Sequence, residues 1–212
     1  MPALDASLIR LHRIGTAPPL VLLHALGATR AMWDGLAGLA ARFELISYDL
    51  PCHGETPAPA SHFEIEDLAD QLAAVLTGIG IARAHIAGSS LGGMVAQCFA
   101  AAYPSRVDRL VLCDTSPGLS EGMTEELLTM PGSGLAQAAM ARADLMDLAE
   151  EIYAPALILC ADGADLAMRE GADFLARSIP RGELAFVAGT RSNVVIERPE
   201  WVARVVRDFL GR

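Results

Sequence analysis

Residues 84–94, which read AHIAGSSLGGM, constrain the fold of this chain more than any other stretch. They predict a short buried strand, a turn of small residues, and the start of an apolar helix that runs to about residue 102. The turn at residues 88–92 fits Gly-x-Ser-x-Gly with Ser90 at its centre. Glycine is required on both sides of such a sharp turn, because a Cβ there would collide with the crossing backbone. The pattern predicts a Ser90 hydroxyl at a helix N-terminus beside unpaired N–H groups, although such a turn can also form without any chemistry.

Strands and helices are predicted to alternate regularly on both sides of this turn. Apolar runs predict further strands at residues 6–13, 20–24, 44–48, 109–114, 156–160 and 183–187. Amphipathic spacing predicts helices at about residues 30–41, 65–79 and 168–178, and from Pro199 onward. This alternation is typical of a mostly parallel α/β sheet, in which chemistry gathers at the carboxyl ends of the strands. The loops after residues 24, 48, 88 and 114 are therefore expected on one face.

Residues 115–153 interrupt the alternation. The stretches TSPG at 115–118 and PGSG at 131–134 separate two or three short helical pieces, the last of them predicted at residues 144–152. We interpret the segment as a small helical insertion over the face that carries Ser90. Ordinary helices packed beneath the sheet are the alternative.

The composition argues against several classes of partner. The chain has 212 residues and a formal net charge of −10, and its basic residues are scattered, so a nucleic-acid surface is not expected. No apolar run reaches the length of about 20 residues that a membrane span needs, and the N-terminus lacks a signal-peptide layout. We therefore expect a cytoplasmic protein. The four cysteines include no Cys-x-x-Cys pair, so neither a disulfide framework nor a zinc site is expected.

Three motifs give the chain a resemblance to the α/β-hydrolase fold family, and within it to 3-oxoadipate enol-lactonases and related small esterases. Residues 22–27, LLHALG, are similar to the family's LLHGxG, with Ala25 in place of a glycine. Residues 49–56, DLPCHGET, are similar to DxPGHGxS, with Cys52 and Thr56 in place of glycine and serine. Residues 88–93 match the family's nucleophile elbow without a departure.

The resemblance implies a fold and a chemistry. The fold is a mostly parallel central sheet flanked by helices, in a single domain over residues 1–212, with residues 115–153 as a helical cap shorter than the family's. Ser90 is expected to be the nucleophile of an acyl transfer, with an oxyanion hole formed by the backbone N–H groups of Leu26 and Leu91. The implied substrate is a small carboxylic ester or lactone, and no metal or organic cofactor is expected.

The catalytic histidine of the family is missing from its usual place. In the family it follows the last strand, in a stretch such as GARHxxPIERP. Residues 189–199 here read GTRSNVVIERP, which places Ser192 at the position of that histidine. By the same resemblance Asp165 is the acid that would orient the histidine, with Asp162 and Asp114 as competing candidates. No histidine follows residue 85, so the catalytic triad is incomplete.

The remaining histidines are poor replacements. His85 is at the amino end of the strand that leads to Ser90, which places it roughly 16 Å from the hydroxyl. His24 and His53 belong to motifs whose histidines are structural in the family, although either could lie on the correct face. Three explanations compete: a deliberate His→Ser inactivation, a natural relative that has lost hydrolysis, and a base recruited from elsewhere.

These features predict a serine hydrolase of the ester or lactone class that is weak or inactive as it stands. Loss of a triad member costs on the order of 10⁴ to 10⁶ in turnover. From a different class, the alternative is a non-catalytic or non-hydrolytic protein that binds a ligand in the retained pocket.

Overall fold

The structure is a computed structural model that describes residues 4–16, 18–129 and 134–212. Seven strands form one sheet in the described part of the chain. Their bounds are β1 His12–Ile14, β2 Pro19–Leu23, β3 Glu44–Ser47, β4 Ala84–Ser89, β5 Val107–Cys113, β6 Ala156–Ala161 and β7 Gly182–Val187. The strand order is β1-β3-β2-β4-β5-β6-β7, so β2 and β4 lie near the centre. All neighbouring pairs are parallel except β1 with β3, which confirms the predicted mostly parallel sheet.

The predicted edge strand at residues 6–13 is largely wrong. Ala6–Leu8 is a single 3₁₀ turn, and only His12–Ile14 pairs with the sheet. The turn forms because the Asp5 carboxylate accepts hydrogen bonds from the N–H and the hydroxyl of Ser7, which offers the backbone a local alternative to a strand.

Helices cover both faces of the sheet. Alternate residues of β2 point to opposite faces, as the pleat requires, so that Val21 and Leu23 belong to one hydrophobic cluster and Leu20 and Leu22 to the other. The helices are α1 Ile65–Gly78, α2 Leu91–Ala102, α3 Glu121–Thr129, α4 Gly134–Arg142, α5 Leu166–Ser178, α6 Val194–Glu197 and α7 Pro199–Leu210, with a 3₁₀ helix at Arg30–Ala41. The first cluster includes α1, α2 and α5, and the second includes Arg30–Ala41 and α7.

The start of α1 shows how local sequence sets an element. The Glu64 side chain accepts from the N–H three residues on, and the Asp67 carboxylate accepts from the Glu64 N–H at 2.8 Å, which is a capping box. One face of the helix then buries Leu68, Leu72 and Leu76 against the sheet. Helix boundaries predicted from apolar spacing alone are therefore confirmed to within a residue here.

The segment between β5 and β6 contains the expected short helices. It includes α3 and α4, and its base is closed by a bridge between Gly118 and Asp144 and by the Leu145 N–H, which donates to the Pro117 carbonyl at 2.7 Å. The predicted helix at 144–152 is wrong, because only Ala149–Glu151 forms a 3₁₀ turn. The Asp144 carboxylate accepts from the Met146 N–H and holds the chain in a turn instead. The predicted break at 131–133 lies outside the described residues.

Candidate active site

The predicted sharp turn lies between β4 and α2. Ser90 has φ +49° and ψ −115°, in the region that residues with a side chain rarely adopt. A Cβ on Gly88 would collide with the carbonyl of Gly92, and a Cβ on Gly92 would collide with the carbonyl of Leu23. Both glycines are therefore required by the close crossing of strand and helix, as the sequence predicted.

The ends of the two neighbouring strands fix this turn. The Ser90 N–H donates to the carbonyl of Cys113 at 3.0 Å, and the Ser90 carbonyl accepts from the Thr115 hydroxyl at 2.9 Å. On the other side, the Gly92 N–H donates to the carbonyl of His24 at 3.1 Å. The strained conformation of Ser90 persists because hydrogen bonds from β2 and β5 determine it from both sides.

Two backbone N–H groups at this edge have no hydrogen-bond partner among the described residues. Leu91 is the first residue of α2, where no intrahelical acceptor exists, and no hydrogen bond from its N–H is recorded among the described residues. The same holds for the N–H of Leu26, in the loop after β2. Its neighbours are occupied: the Ala25 N–H donates to the Met32 Sδ at 3.2 Å, and the Gly27 N–H donates to the His53 Nε2 at 3.0 Å. The loop thus leaves Leu26 as an unpaired donor between two paired ones.

Both histidines near this edge use both ring nitrogens to hold loops. The Leu50 N–H donates to Nε2 of His24 at 2.8 Å, so the proton is on Nδ1, which donates to the Ala25 carbonyl at 2.7 Å. His53 repeats the arrangement, with Nε2 accepting from Gly27 and Nδ1 donating to the Pro51 carbonyl at 3.0 Å. Burial lowers the pKa of His24 to about 4. Neither ring has a free lone pair to take a proton from Ser90.

The loop after β7, which carries Ser192, is held by three carboxylates. Six consecutive backbone N–H groups, from residue 189 to residue 194, donate to them. The first two donate to Asp162 at 3.1 Å, the next three to Glu197 at 2.9–3.2 Å, and the last to Asp114 at 2.9 Å. These bonds lower the pKa of Asp162 and of Glu197, since an N–H donor stabilises the ionised form. Ser192 is exposed, and its N–H is one of the three that surround Glu197.

The three candidate acids have different surroundings. Both carboxylate oxygens of Asp162 accept hydrogen bonds from backbone N–H groups. One oxygen of Asp114 accepts from the Ala161 N–H and the other from the Val194 N–H. Asp165 is exposed and caps α5, with Oδ1 accepting from the Met168 N–H at 2.8 Å. No contact between Asp165 and Ser192 or Ser90 is recorded in the described part of the chain. Asp165 is the one candidate whose second oxygen has no recorded partner among those residues.

Asp114 is strained as well as buried. It has φ +43°, it is 6% exposed, and it follows the last residue of β5. Burial raises its pKa to about 6, although the N–H groups of Val194 and Ala161 work in the opposite direction. Asp114 thus joins the end of β5 to β6 and to the loop that carries Ser192.

Sequence reasoning missed the role of Glu197. The residue belongs to the Ile-Glu-Arg-Pro stretch that served to align Ser192, but no pattern indicated that it accepts from the loop before it. Glu197 is the last residue of the four-residue helix α6, and the sequence gives no local pattern that shows its side chain folding back to the N–H groups of residues 191–193.

A cavity lies between the insertion and α5. Its volume is about 700 Å³. Ser90 is not among its lining residues, which include Ser116, Leu119, Met123, Arg142, Glu170 and Phe174.

Among the described residues, no group of three or more His, Cys, Asp or Glu side chains is arranged to hold a metal ion. No helix in the same part of the chain is long and apolar enough to cross a membrane.

The fold and the turn at Ser90 define an α/β-hydrolase architecture, and comparison with known families agrees. Residues 18–181 match the family model described as alpha/beta hydrolase fold. The chain therefore belongs to the α/β-hydrolase fold family.

Curated relatives match part of the chain. A pimeloyl-[acyl-carrier protein] methyl ester esterase from Aeromonas salmonicida is 39% identical over 111 residues, which is 51% of this chain and 42% of the relative. An esterase of the same name from Nitrosomonas europaea is 35% identical over 136 residues, 61% of this chain and 52% of the relative. The chain thus spans about half of the length of these two relatives.

Solved structures match nearly the whole chain at lower identity. The enol-lactonase from Burkholderia xenovorans has a TM-score of 0.85 at 24% identity, over 96% of each chain. A hydrolase from Pseudomonas aeruginosa has a TM-score of 0.88 at 23% identity, over 96% of this chain and 94% of that one. At these identities the likeness shows the fold.

Proposed function

We propose that this chain is a serine hydrolase scaffold for carboxylic esters or lactones that works slowly because it lacks a base at position 192. The observation that carries the proposal is Ser90 at φ +49°, fixed from both sides, beside the unpaired N–H groups of Leu26 and Leu91. The names of the relatives support the same class of reaction, since they include methyl ester esterases and an enol-lactonase.

The geometry suits the first step of acyl transfer. The Ser90 oxygen attacks the acyl carbon, and the carbonyl oxygen becomes an oxyanion that accepts hydrogen bonds from Leu26 and Leu91. Each such donor lowers the barrier by about 3 kcal/mol in comparable sites. The Ser90 proton must then go to water or buffer, since neither nearby imidazole has a free lone pair. The oxyanion hole and substrate binding alone accelerate the reaction about 10³- to 10⁴-fold over its rate in water, which sets the expected level of activity.

We assign Asp165 as the acid that would orient a histidine introduced at position 192. The oxygens of Asp162 and Asp114 are occupied by backbone N–H groups, whereas one oxygen of Asp165 is not. The Gly163 N–H donates to the Thr190 carbonyl at 3.0 Å, which holds the loop that carries Asp165 against the loop that carries Ser192. The two positions are therefore on adjoining loops at one edge of the sheet.

The test is to supply the missing base. Ser192→His is expected to raise the rate of hydrolysis of p-nitrophenyl acetate by about 10² or more, because a positioned general base contributes about 10² to 10⁴. Ser192→Ala is the matched control and is expected to show no gain. Adding Ser90→Ala to Ser192→His is expected to abolish the gain. If Ser192→His hydrolyses no faster than Ser192→Ala, the proposal is wrong.

The hydrogen bonds of His24 and His53 favour a second function, which is ligand binding without hydrolysis. Because His24 and His53 are both committed to loops, the unaltered chain can bind an acyl ligand or carboxylate at Ser90 without turning it over. A fluorophosphonate probe distinguishes the two functions in the unaltered protein. Labelling no greater than that of Ser90→Ala, together with saturable binding of an acyl ligand, supports a binding role, and slow labelling that depends on Ser90 supports the slow hydrolase instead.

A further inference from the structure

A basic cavity lies at the edge of the sheet opposite Ser90. Its volume is about 370 Å³. It is formed where β4, β5, β6 and β7 begin, since these four strands are parallel neighbours whose amino ends share one edge. At about 3.3 Å per residue, the length of β4 separates the cavity from Ser90 by roughly 16 Å. The side chains in its lining that carry charge or donate hydrogen bonds are Arg83, His85, Asp108, Arg109, Tyr153 and Arg181.

The cavity holds more positive charge than its surroundings neutralise. Arg83 pairs with Asp108 at 2.8 Å, which accounts for the one carboxylate in the lining. Arg109 stacks over the ring of Phe209 at 5.3 Å, and this contact leaves its N–H groups unused. In the described part of the chain neither Arg109 nor Arg181 has a recorded ion pair. Two uncompensated guanidinium groups thus face one cavity of a chain with net charge −10.

His85 adds an unsatisfied polar group to the same wall. It is 8% exposed, and its Nδ1 has no hydrogen-bond partner among the described residues. Phe43 packs against the ring edge-on at 5.7 Å. Burial lowers the pKa of His85 against the opposing effect of Asp108, and the charges of Arg109 and Arg83 lower it further. The ring is therefore neutral, and because Nδ1 is itself buried from solvent, Nε2 is the ring nitrogen that can offer an N–H donor to a ligand beside the two arginines.

We propose that this cavity binds a small phosphomonoester. Planar guanidinium groups present several donors in a fixed fork, which matches the three oxygens of a phosphate better than a single carboxylate. The volume exceeds that of phosphate, and Pro104, Val107 and Pro155 provide an apolar wall for a short carbon skeleton. Because the cavity is at the other edge of the sheet, this site is separate from that of Ser90.

Glycerol 3-phosphate is the probe for this site, titrated calorimetrically into the full chain at constant ionic strength. Arg181→Ala is expected to raise the dissociation constant about tenfold, since a charge-assisted hydrogen bond to the phosphate is lost. Arg204→Ala removes the same charge from an exposed position that does not line the cavity, and is expected to change binding less than about twofold. The His85 ring-proton resonances are expected to shift on binding in the unaltered protein.

Four results would overturn the proposal. Absence of saturable binding at about 10 mM probe excludes a specific site. Equal weakening by Arg181→Ala and Arg204→Ala shows general charge attraction instead. Succinate that binds as tightly as glycerol 3-phosphate contradicts the phosphate class. Inorganic phosphate that binds as tightly contradicts the assignment of an ester.

Discussion

The backbone N–H of Gly27 donates to Nε2 of His53 at 3.0 Å, so an imidazole holds the loop that carries the Leu26 N–H. The same contact occupies the lone pair that a general base would need. One hydrogen bond therefore links the shape of the expected oxyanion hole to the unavailability of the His53 ring as a base for Ser90.

Replacing His53 with alanine is expected to cost stability. The variant His53→Ala leaves the Gly27 N–H and the Pro51 carbonyl without their partners, which is expected to lower the free energy of unfolding by about 2 kcal/mol. His62→Ala, at an exposed position, is expected to change it by less than about 0.5 kcal/mol. Urea unfolding measures both. A His53→Ala protein of unchanged stability that loses all residual esterase activity would identify His53 as a base instead.

Gly92→Ala is expected to disrupt the turn at Ser90. A Cβ at this position collides with the carbonyl oxygens of Leu23 and His24, and the crossing strand cannot move away without opening the sheet. We expect a loss of at least about 3 kcal/mol, seen as a lower urea midpoint or as loss of soluble protein. Gly38→Ala is the control, since its Cβ meets nothing within 4 Å, and it is expected to be neutral or slightly stabilising. Equal midpoints for the two variants would contradict the steric account.

Asp114 is expected to make stability depend on pH. Asp114 has a pKa of about 6 in the folded protein, compared with its ordinary value of 3.8. The stability that comes from this difference is therefore fully present below pH 3.8 and is lost as the pH rises to about 6. The full effect is on the order of 3 kcal/mol. Asp114→Asn does not titrate, so the stability of the unaltered protein relative to this variant is expected to fall over that range.

Urea unfolding at a series of pH values tests this dependence. Asp147→Asn, at an exposed position, is the control, and its curve is expected to run parallel to that of the unaltered protein. Parallel curves for Asp114→Asn and the unaltered protein would show that Asp114 titrates normally.

Cys52 is expected to be a source of strain. It stands where the family has glycine and adopts φ +72°, which costs a residue with a Cβ about 1–2 kcal/mol. Cys52→Gly relieves that strain but adds freedom to the unfolded chain, for a net gain of about 0.5–1 kcal/mol. Cys52→Ala keeps the Cβ and is expected to give no gain. Thermal unfolding compares them, and a glycine variant no more stable than the alanine variant would rule out strain at this position.

The sequence predicted those features that local sterics determine. The glycines around Ser90 and the strand-to-helix change are required by close backbone crossing, which any chain that makes this turn must satisfy. The edge strand at 6–13 and the helix at 144–152 were predicted wrongly, because Asp5 and Asp144 bind nearby N–H groups and favour turns.

The carboxylates around the loop after β7 were not predictable in the same way. Asp114 and Val194 are 80 residues apart in the chain, and their hydrogen bond depends on the assembled sheet. The hydrogen bonds that occupy the ring nitrogens of His24 and His53 could not be predicted either. A sequence shows where a histidine is, but not which of its nitrogens accepts a hydrogen bond.

The three carboxylates that hold residues 189–194 contact backbone N–H groups, whatever side chain residue 192 carries. The loop therefore gains none of these hydrogen bonds from a particular residue at that position, and substitutions there are close to neutral for folding. Selection for stability does not act on the identity of this side chain. A histidine and a serine can therefore replace each other at position 192 with no compensating change among the residues that hold the loop.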